Sequence, residues 1–361
     1  MEQEKQTQPE QKKKRLSTPL LIFIILMAVT LTLCAVVAGI WLHGRSSLRN
    51  QGAAPTDAPD DTQQLDSYTV LHDGKYYRYK DHMVNLLLIG VDSDNKPAAP
   101  LPYGCDNQAD VILVAALDTD ANRMTLISVS RDTMCDIAVL DQNGQVSGAA
   151  HTQLALSYSN GDGLYESCRL CQEAVSQLFY GLQFDGCAAF YMGGIGRLND
   201  AVGGVTVSVL DDYPFTDVPN GWNMYPGQDV TLTGRQARLY IQARRGDATG
   251  NEDRMKRQKQ YMLALISQAK DRVAASPASV VPLYNAVSDY VLTDLDLGKL
   301  SYLATQAAGM SFSGDMLRVA GDAVLGQGNR VELTVDQQAL YDLILDVFYE
   351  EIPAPTDTAG E

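Results

Sequence analysis

Eight basic residues crowd one short stretch of the chain: Arg235, Arg238, Arg244, Arg245, Arg254, Lys256, Arg257 and Lys259. Only Asp247, Glu252 and Asp253 oppose them there, although the 361-residue chain as a whole carries a net charge of −16. Guanidinium groups make paired hydrogen bonds to phosphate oxygens, so a basic island in an acidic chain points to an anionic ligand. The plainer reading is a solvated helix face with local ion pairs. Three apolar runs also end in charge: Gly90-Val91-Asp92, Asp110 opening 111–117, and Ser130-Arg131-Asp132. Carboxylates and an arginine at strand ends can line a cleft. Two aspartates close together bind a hard cation such as Mg2+. A magnesium ion with several arginines is suited to stabilising phosphoryl transfer. The alternative is that these are turn residues where strands meet solvent.

Such residues need strands and helices to position them. The apolar run 84–90 reads as a buried strand. Segments 111–117 and 124–130, joined by the polar turn 118–123, read as two antiparallel neighbours. Residues 69–80 form a small hairpin pattern with Asp73-Gly74 at its turn. Apolar spacing predicts helices over 164–182 and 190–202, the second stopped by Gly203-Gly204 before a strand at 205–210. Further helices are expected at 234–241, 254–272 and 336–349, with one or two between 278 and 310. A strand pair is expected around 317–333. No internal repeat is present. Helices and strands alternate throughout, which implies one α/β domain with a central mixed sheet flanked by helices.

The N-terminus has a different character. Residues 19–42 carry no charge and are long enough to cross a bilayer as a helix. Lys12, Lys13, Lys14 and Arg15 precede this run, and only Arg45 and Arg49 follow closely. That asymmetry places the N-terminus in the cytoplasm and the rest outside. A cleaved signal peptide has a shorter apolar core and a small-residue cleavage site, which this run lacks. The expected organisation is a cytoplasmic basic tail (1–17), a transmembrane anchor (18–43), a flexible linker (44–67), an extracytoplasmic domain (68–352) and a disordered tail (353–361). The acidic body argues against nucleic acid as a partner. Cys105, Cys135, Cys168, Cys171 and Cys187 would lie outside. Their connectivity is not legible in sequence, and Cys168-x-x-Cys171 lacks a second pair or a His cluster. They read as structural cysteines, buried or paired.

Five segments are more specific: VNLLLIGVDSDN, ADVILVAALDTDANRMTLISVSRDTM, LNDAVGGVTVSV, GQDVTLTGRQARLYIQARRGD and EDRMKRQKQYMLALI. Across a motif core of 84–268 they lie in the order and approximate spacing of the LytR-CpsA-Psr family, and there the chain resembles these bacterial cell-envelope phosphotransferases. The resemblance implies transfer of an anionic glycopolymer, such as teichoic acid or capsule, from a polyprenyl-pyrophosphate carrier to a peptidoglycan hydroxyl. A phosphodiester link would result, with membrane lipid as a further partner. It implies that Asp92 and Asp110 hold Mg2+ against the pyrophosphate, and that Arg131 contacts the pyrophosphate and orients the reacting groups. Arg244, Arg254 and Gln258 would clamp the phosphate oxygens, with Arg257 or Arg245 in support and Gln242 as a further hydrogen-bond donor to the pyrophosphate. The polyprenyl tail would lie in an apolar cavity between the sheet and helices around 164–200 and 255–270. Three positions depart from the family pattern by losing an arginine: Gln108, Gln242 and Asp94. A polyprenyl-pyrophosphate hydrolase and a non-catalytic envelope-binding or regulatory protein are the competing readings.

The topology has a direct test. A reporter fused after Glu361 should be active only outside the cytoplasm, because the single apolar run follows the basic cluster. A signal from a cytoplasm-specific reporter at that position would refute the topology.

Overall fold

The computed structural model describes residues 54–104, 107–211, 225–243, 250–326, 328 and 330–354. The expected cytoplasmic tail and anchor lie outside these residues, as do 355–361 of the expected C-terminal tail. Among the described residues no helix is long and apolar enough to cross a membrane.

The chain begins with β1 (Gln63–Gln64), β2 (Thr69–His72), β3 (Lys75–Tyr79), β4 (Met83–Val91), β5 (Ala109–Asp118) and β6 (Arg123–Val129). A hairpin of β7 (Met134–Leu140) and β8 (Val146–Gln153) follows, then α1 (Ala155–Ser159), α2 (Tyr165–Leu178) and β9 (Gly186–Tyr191). Next come α3 (Ile195–Val202), the pair β10 (Val205–Ser208) and β11 (Asp229–Leu232), α4 (Gly234–Gln242) and α5 (Gly250–Ala275). The last part holds α6 (Val280–Val287), β12 (Val291–Thr293), α7 (Leu297–Gly309), β13 (Ser311–Phe312) and β14 (Leu317–Arg318). The hairpin β15 (Gly321–Leu325) and β16 (Val331–Val335), α8 (Gln337–Phe348) and β17 (Tyr349–Ile352) complete it.

Seven strands form a central mixed sheet in the order β12-β9-β4-β5-β6-β13, with β14 also on β6. Strands β4, β5 and β6 are antiparallel neighbours, whereas β9 runs parallel to β4. Both faces of the sheet are covered, so its central strands are apolar almost throughout. Leu87, Ile89 and Val91 of β4 enter a core shared with α2 and α8. Val84, Leu86 and Leu88 face the other side, toward α5 and α7. A third core joins α3, α4 and α5 to the β10–β11 pair. A capping box between Thr233 and Gln236 starts α4, and Gly203 in the left-handed region (φ 98°) ends α3.

Several expectations change. The helix expected over 190–202 begins only at Ile195. The residues before it include the inner strand β9, whose Cys187, Ala189 and Tyr191 enter the core. Small residues gave that strand little propensity, and tertiary packing overrides the local preference. The expected cavity between 164–200 and 255–270 is divided by the sheet. Helix α2 lies on one face and α5 on the other, so only the α3 part of the first segment shares a side with α5. The second half of the expected 44–67 linker lies against the body. Ala54 is buried, the Asp57 N–H donates to the Tyr180 carbonyl (3.0 Å), and β1 pairs with β2.

One irregularity sets the site. Gly90 pairs with Val111, but Val91 pairs with Ala109, which leaves Asp110 as the extra residue of a β-bulge. Ile112, Val114 and Ala116 face the first core, and so does Ala109. Without the bulge, simple alternation would aim Asp110 into that apolar core. Gly90 makes the close approach possible, since a Cβ there would lie 2.9 Å from Val111 Cβ. Gly90→Ala should therefore destabilise the domain by about 1–3 kcal/mol, the scale of forced overpacking. Thermal unfolding is the check, and an unchanged Tm would show that the bulge tolerates a side chain.

Candidate functional site

Three strand ends converge at one edge of the sheet. Asp92 directly follows β4, and its N–H donates to the Gln108 carbonyl (3.1 Å), continuing the ladder past the bulge. Asp110 sits on the bulge itself. Arg131 follows β6 and forks between two partners: one guanidinium nitrogen donates to Asp110 and another to Gln108 Oε1 at 2.9 Å. Its Nε lies 3.7 Å from Asp132 Oδ1. The backbone around Arg131 is held from several sides. The Ala155 N–H donates to the Arg131 carbonyl (2.9 Å), Leu333 N–H to Asp132 (2.9 Å) and Leu154 N–H to Thr133 (2.8 Å).

The charges at this edge act on one another. Burial raises the Asp110 carboxyl above the usual range. Arg131 opposes that rise, the Asp92 charge adds to it, and Arg254 from α5 opposes it again. Asp132 is also raised by burial, against Arg131. Asp92, Asp110, Asp132, Arg131 and Arg254 thus form one electrostatic cluster. Among the described residues no group of three or more His, Cys, Asp or Glu side chains is arranged to hold a metal. Two carboxylates still suit Mg2+, which keeps several waters and takes its remaining ligands from substrate phosphates.

The rest of the basic island behaves differently. Arg257 is 1% exposed. Its Nε donates to the Tyr240 carbonyl (2.9 Å), and its other nitrogens bond the Ala243 carbonyl and pair with Asp211. Gln258 Nε2 donates to the Ile241 carbonyl (3.1 Å). These carbonyls belong to the C-terminal end of α4, where helix acceptors have no partner within the helix and a cation is favoured. Gln242 lies beside Arg238, whose Nε donates to Gln242 Oε1 (3.3 Å), while Arg238 also pairs with Asp94. Lys259 pairs with Asp315 (2.7 Å). Arg244 and Arg245 lie outside the described residues. The structure therefore brings together Asp92, Asp110 and Arg131, leaves Arg254 on α5 as a charge acting on Asp110, and directs Arg257 and Gln258 to the end of α4. Gln108 and Asp132 join the cluster as partners of Arg131. In the sequence Asp132 stood out only as a strand-end charge and Gln108 only as a departure from the family pattern.

The LytR_cpsA_psr family model matches residues 46–343. The polyisoprenyl-teichoic acid–peptidoglycan teichoic acid transferase TagU of Oceanobacillus iheyensis is 28% identical over 307 residues, covering 84% of this chain and 85% of that protein. The TagU of Halalkalibacterium halodurans is 25% identical, covering 84% of this chain and 88% of its own. The crystal structure of B. subtilis TagV shares the fold, with a TM-score of 0.55 at 21% identity over 74% of this chain and 96% of that one. With a family match that spans most of its length, this chain belongs to the LytR_cpsA_psr family.

Proposed function

We propose that this chain transfers an anionic glycopolymer from a polyprenyl-pyrophosphate carrier to peptidoglycan and leaves a phosphodiester link in the wall. The observation that carries this reading is the convergence of Asp92, Asp110 and Arg131 at adjoining strand ends, with Arg131 bonded to Asp110 and Gln108. Two related proteins named as teichoic acid transferases support the substrate class. The domain would work outside the cytoplasm, tethered by the apolar run 19–42. Its lipid tail would lie on the α5 side of the sheet. There Leu86, Leu88, Ile266, Leu300 and Phe312 remain only partly buried although they face the core.

Asp92 and Asp110 would hold Mg2+, which when bound would neutralise charge on the pyrophosphate oxygens. Arg131 is preorganised by its fork to Asp110 and Gln108 and presents donors beside the reacting phosphorus. Fixed donors of this kind act most strongly where charge develops and water is excluded. Arg254 approaches from α5. A hydroxyl proton could pass to a carboxylate at this edge. A metal-bound carboxylate is a poor base, so that transfer would be secondary to the electrostatic role.

Release of polyprenyl phosphate from a synthetic polyprenyl-pyrophosphoryl glycan, with Mg2+ and peptidoglycan, tests the site. Asp92→Ala and Asp110→Ala should each abolish most of the Mg2+-dependent turnover. Arg131→Ala should lower turnover by about a hundredfold or more, the scale of losing one transition-state donor. Arg131→Lys should restore only part, because lysine lacks the planar fork. Near-normal turnover in any of the three alanine variants would remove that residue from the site.

Arg257 should behave otherwise. Its buried guanidinium bonds two α4-end carbonyls and Asp211. Arg257→Ala should therefore cost about 3 kcal/mol or more of stability, by stranding buried partners. Chemical denaturation reads this directly, and a variant that loses activity at unchanged stability would place Arg257 on the substrate instead.

A further inference from the structure

Arg238 on α4 is a cation of the basic island that the proposed chemistry leaves unused. One of its terminal guanidinium nitrogens pairs with Asp94, two residues past Asp92, and its Nε donates to Gln242 Oε1 (3.3 Å). Asp94 and Gln242 are two of the positions where the sequence loses an arginine of the family pattern, and both hold this one guanidinium. Two residues of chain span about 7 Å at most, so the pair stands beside the carboxylate edge of the site. The backbone under the pair is fixed. The Met192 N–H donates to the Ser93 carbonyl (2.9 Å), and the Asp94 carbonyl packs against Gly193, where a Cβ would collide with it. Gln242 is held in turn, its Nε2 donating to Met192 Sδ (2.8 Å). The pair itself is open to water, with the Arg238 and Asp94 side chains 38% and 58% exposed. Such a pair has little net strength and opens easily. Lys96, the next cation after Asp94, is committed to backbone instead, donating to the Ser288 (3.0 Å) and Val291 (2.9 Å) carbonyls.

We propose that Arg238 is a further anion-binding residue of this site, and that Asp94 competes with the carrier's pyrophosphate for it. The inference rests on the reading that the strand-end cluster binds a pyrophosphate. A guanidinium takes a phosphate group through two parallel N–H donors, the same edge it offers a carboxylate. A pyrophosphate carries more charge than the single Asp94 carboxylate, so it can displace so exposed a partner. The Gln242 bond fixes Nε, and the guanidinium keeps its place when the Asp94 side chain swings into solvent. Arg238 thus supplies positive charge between two positions that lack it, and Asp94 sets how strongly an anion must bind to claim that charge.

The test titrates the full chain in detergent micelles with geranyl pyrophosphate and Mg2+ by calorimetry, against protein-free micelles. Arg238→Ala should weaken binding by about tenfold or more, the scale of one charge-assisted contact. Asp94→Ala should tighten it by about threefold to fivefold, the scale of an exposed ion pair. In the double variant, Asp94→Ala should add little to Arg238→Ala, because it acts by releasing that arginine. Thermal unfolding checks the fold, and Arg238→Gln, which also removes the charge, replaces Arg238→Ala if the latter unfolds. Unchanged binding in the folded Arg238 variant overturns the inference. So does equal tightening by Asp94→Ala with and without Arg238, since Asp94 then acts only through its own charge. Arg131→Ala separates the two readings. Binding lost there and kept in Arg238→Ala overturns this inference and leaves the proposed site standing. No binding by the unsubstituted chain overturns both.

Discussion

One extra residue in a strand pair decides where the charges of the candidate site can gather. Asp110 occupies the bulge between the Gly90–Val111 and Val91–Ala109 pairs. A carboxylate aimed into the core formed by Ile112, Val114 and Ala116 would lose its hydration without gaining a partner, at a cost of several kcal/mol. The bulge turns it to the sheet edge instead, where Arg131 receives it. The glycine at position 90 allows the two strands to approach at this point. Strand geometry and charge placement are therefore one problem here. The strands are buried on both faces, so within β5 a break in alternation is what turns the Asp110 charge away from the core.

The resulting edge holds three carboxylates against two described guanidinium groups. That balance is poor for a pyrophosphate without a metal and reasonable with one. Gln108 fits the same logic. Its side-chain oxygen accepts from Arg131, so it orients the guanidinium without competing for anions. An arginine at 108 would bring a second cation against Arg131. The glutamine thus exchanges positive charge for fixed direction, and the loss of an arginine from the family pattern need not empty the site.

The long strands and the main helices were legible because their apolar runs were long or strongly periodic. Strand β9 was not, because Gly186, Ala188 and Ala189 carry no clear periodic signal and its placement depends on parallel pairing with β4. The β7–β8 hairpin, with a second strand of VSGAAHTQ, was hidden for the same reason. Asp92, Asp110 and Arg131 stood out at strand ends, yet the bulge that unites them depends on register between two strands. Register is a tertiary property. The side of the sheet taken by α2 was equally beyond reach, since an amphipathic pattern tells that a helix packs but not on which face.

The basic island shows how composition can merge two roles. Arginines 254 and 257 are three residues apart on α5, so they share roughly one side of the helix. One acts on Asp110 at the strand ends, while the other reaches the last carbonyls of α4 and Asp211. The second role supports the first. Helix α4 ends at Gln242, two residues before the Arg244-Arg245 pair, and Arg257 and Gln258 hold that end against α5. Bound to fixed protein oxygens, Arg257 need not touch a ligand to influence its binding. Among the described residues the island is therefore mixed: Arg235, Lys256 and Lys259 are exposed, Arg257 is a buried brace, and Arg254 acts electrostatically on Asp110.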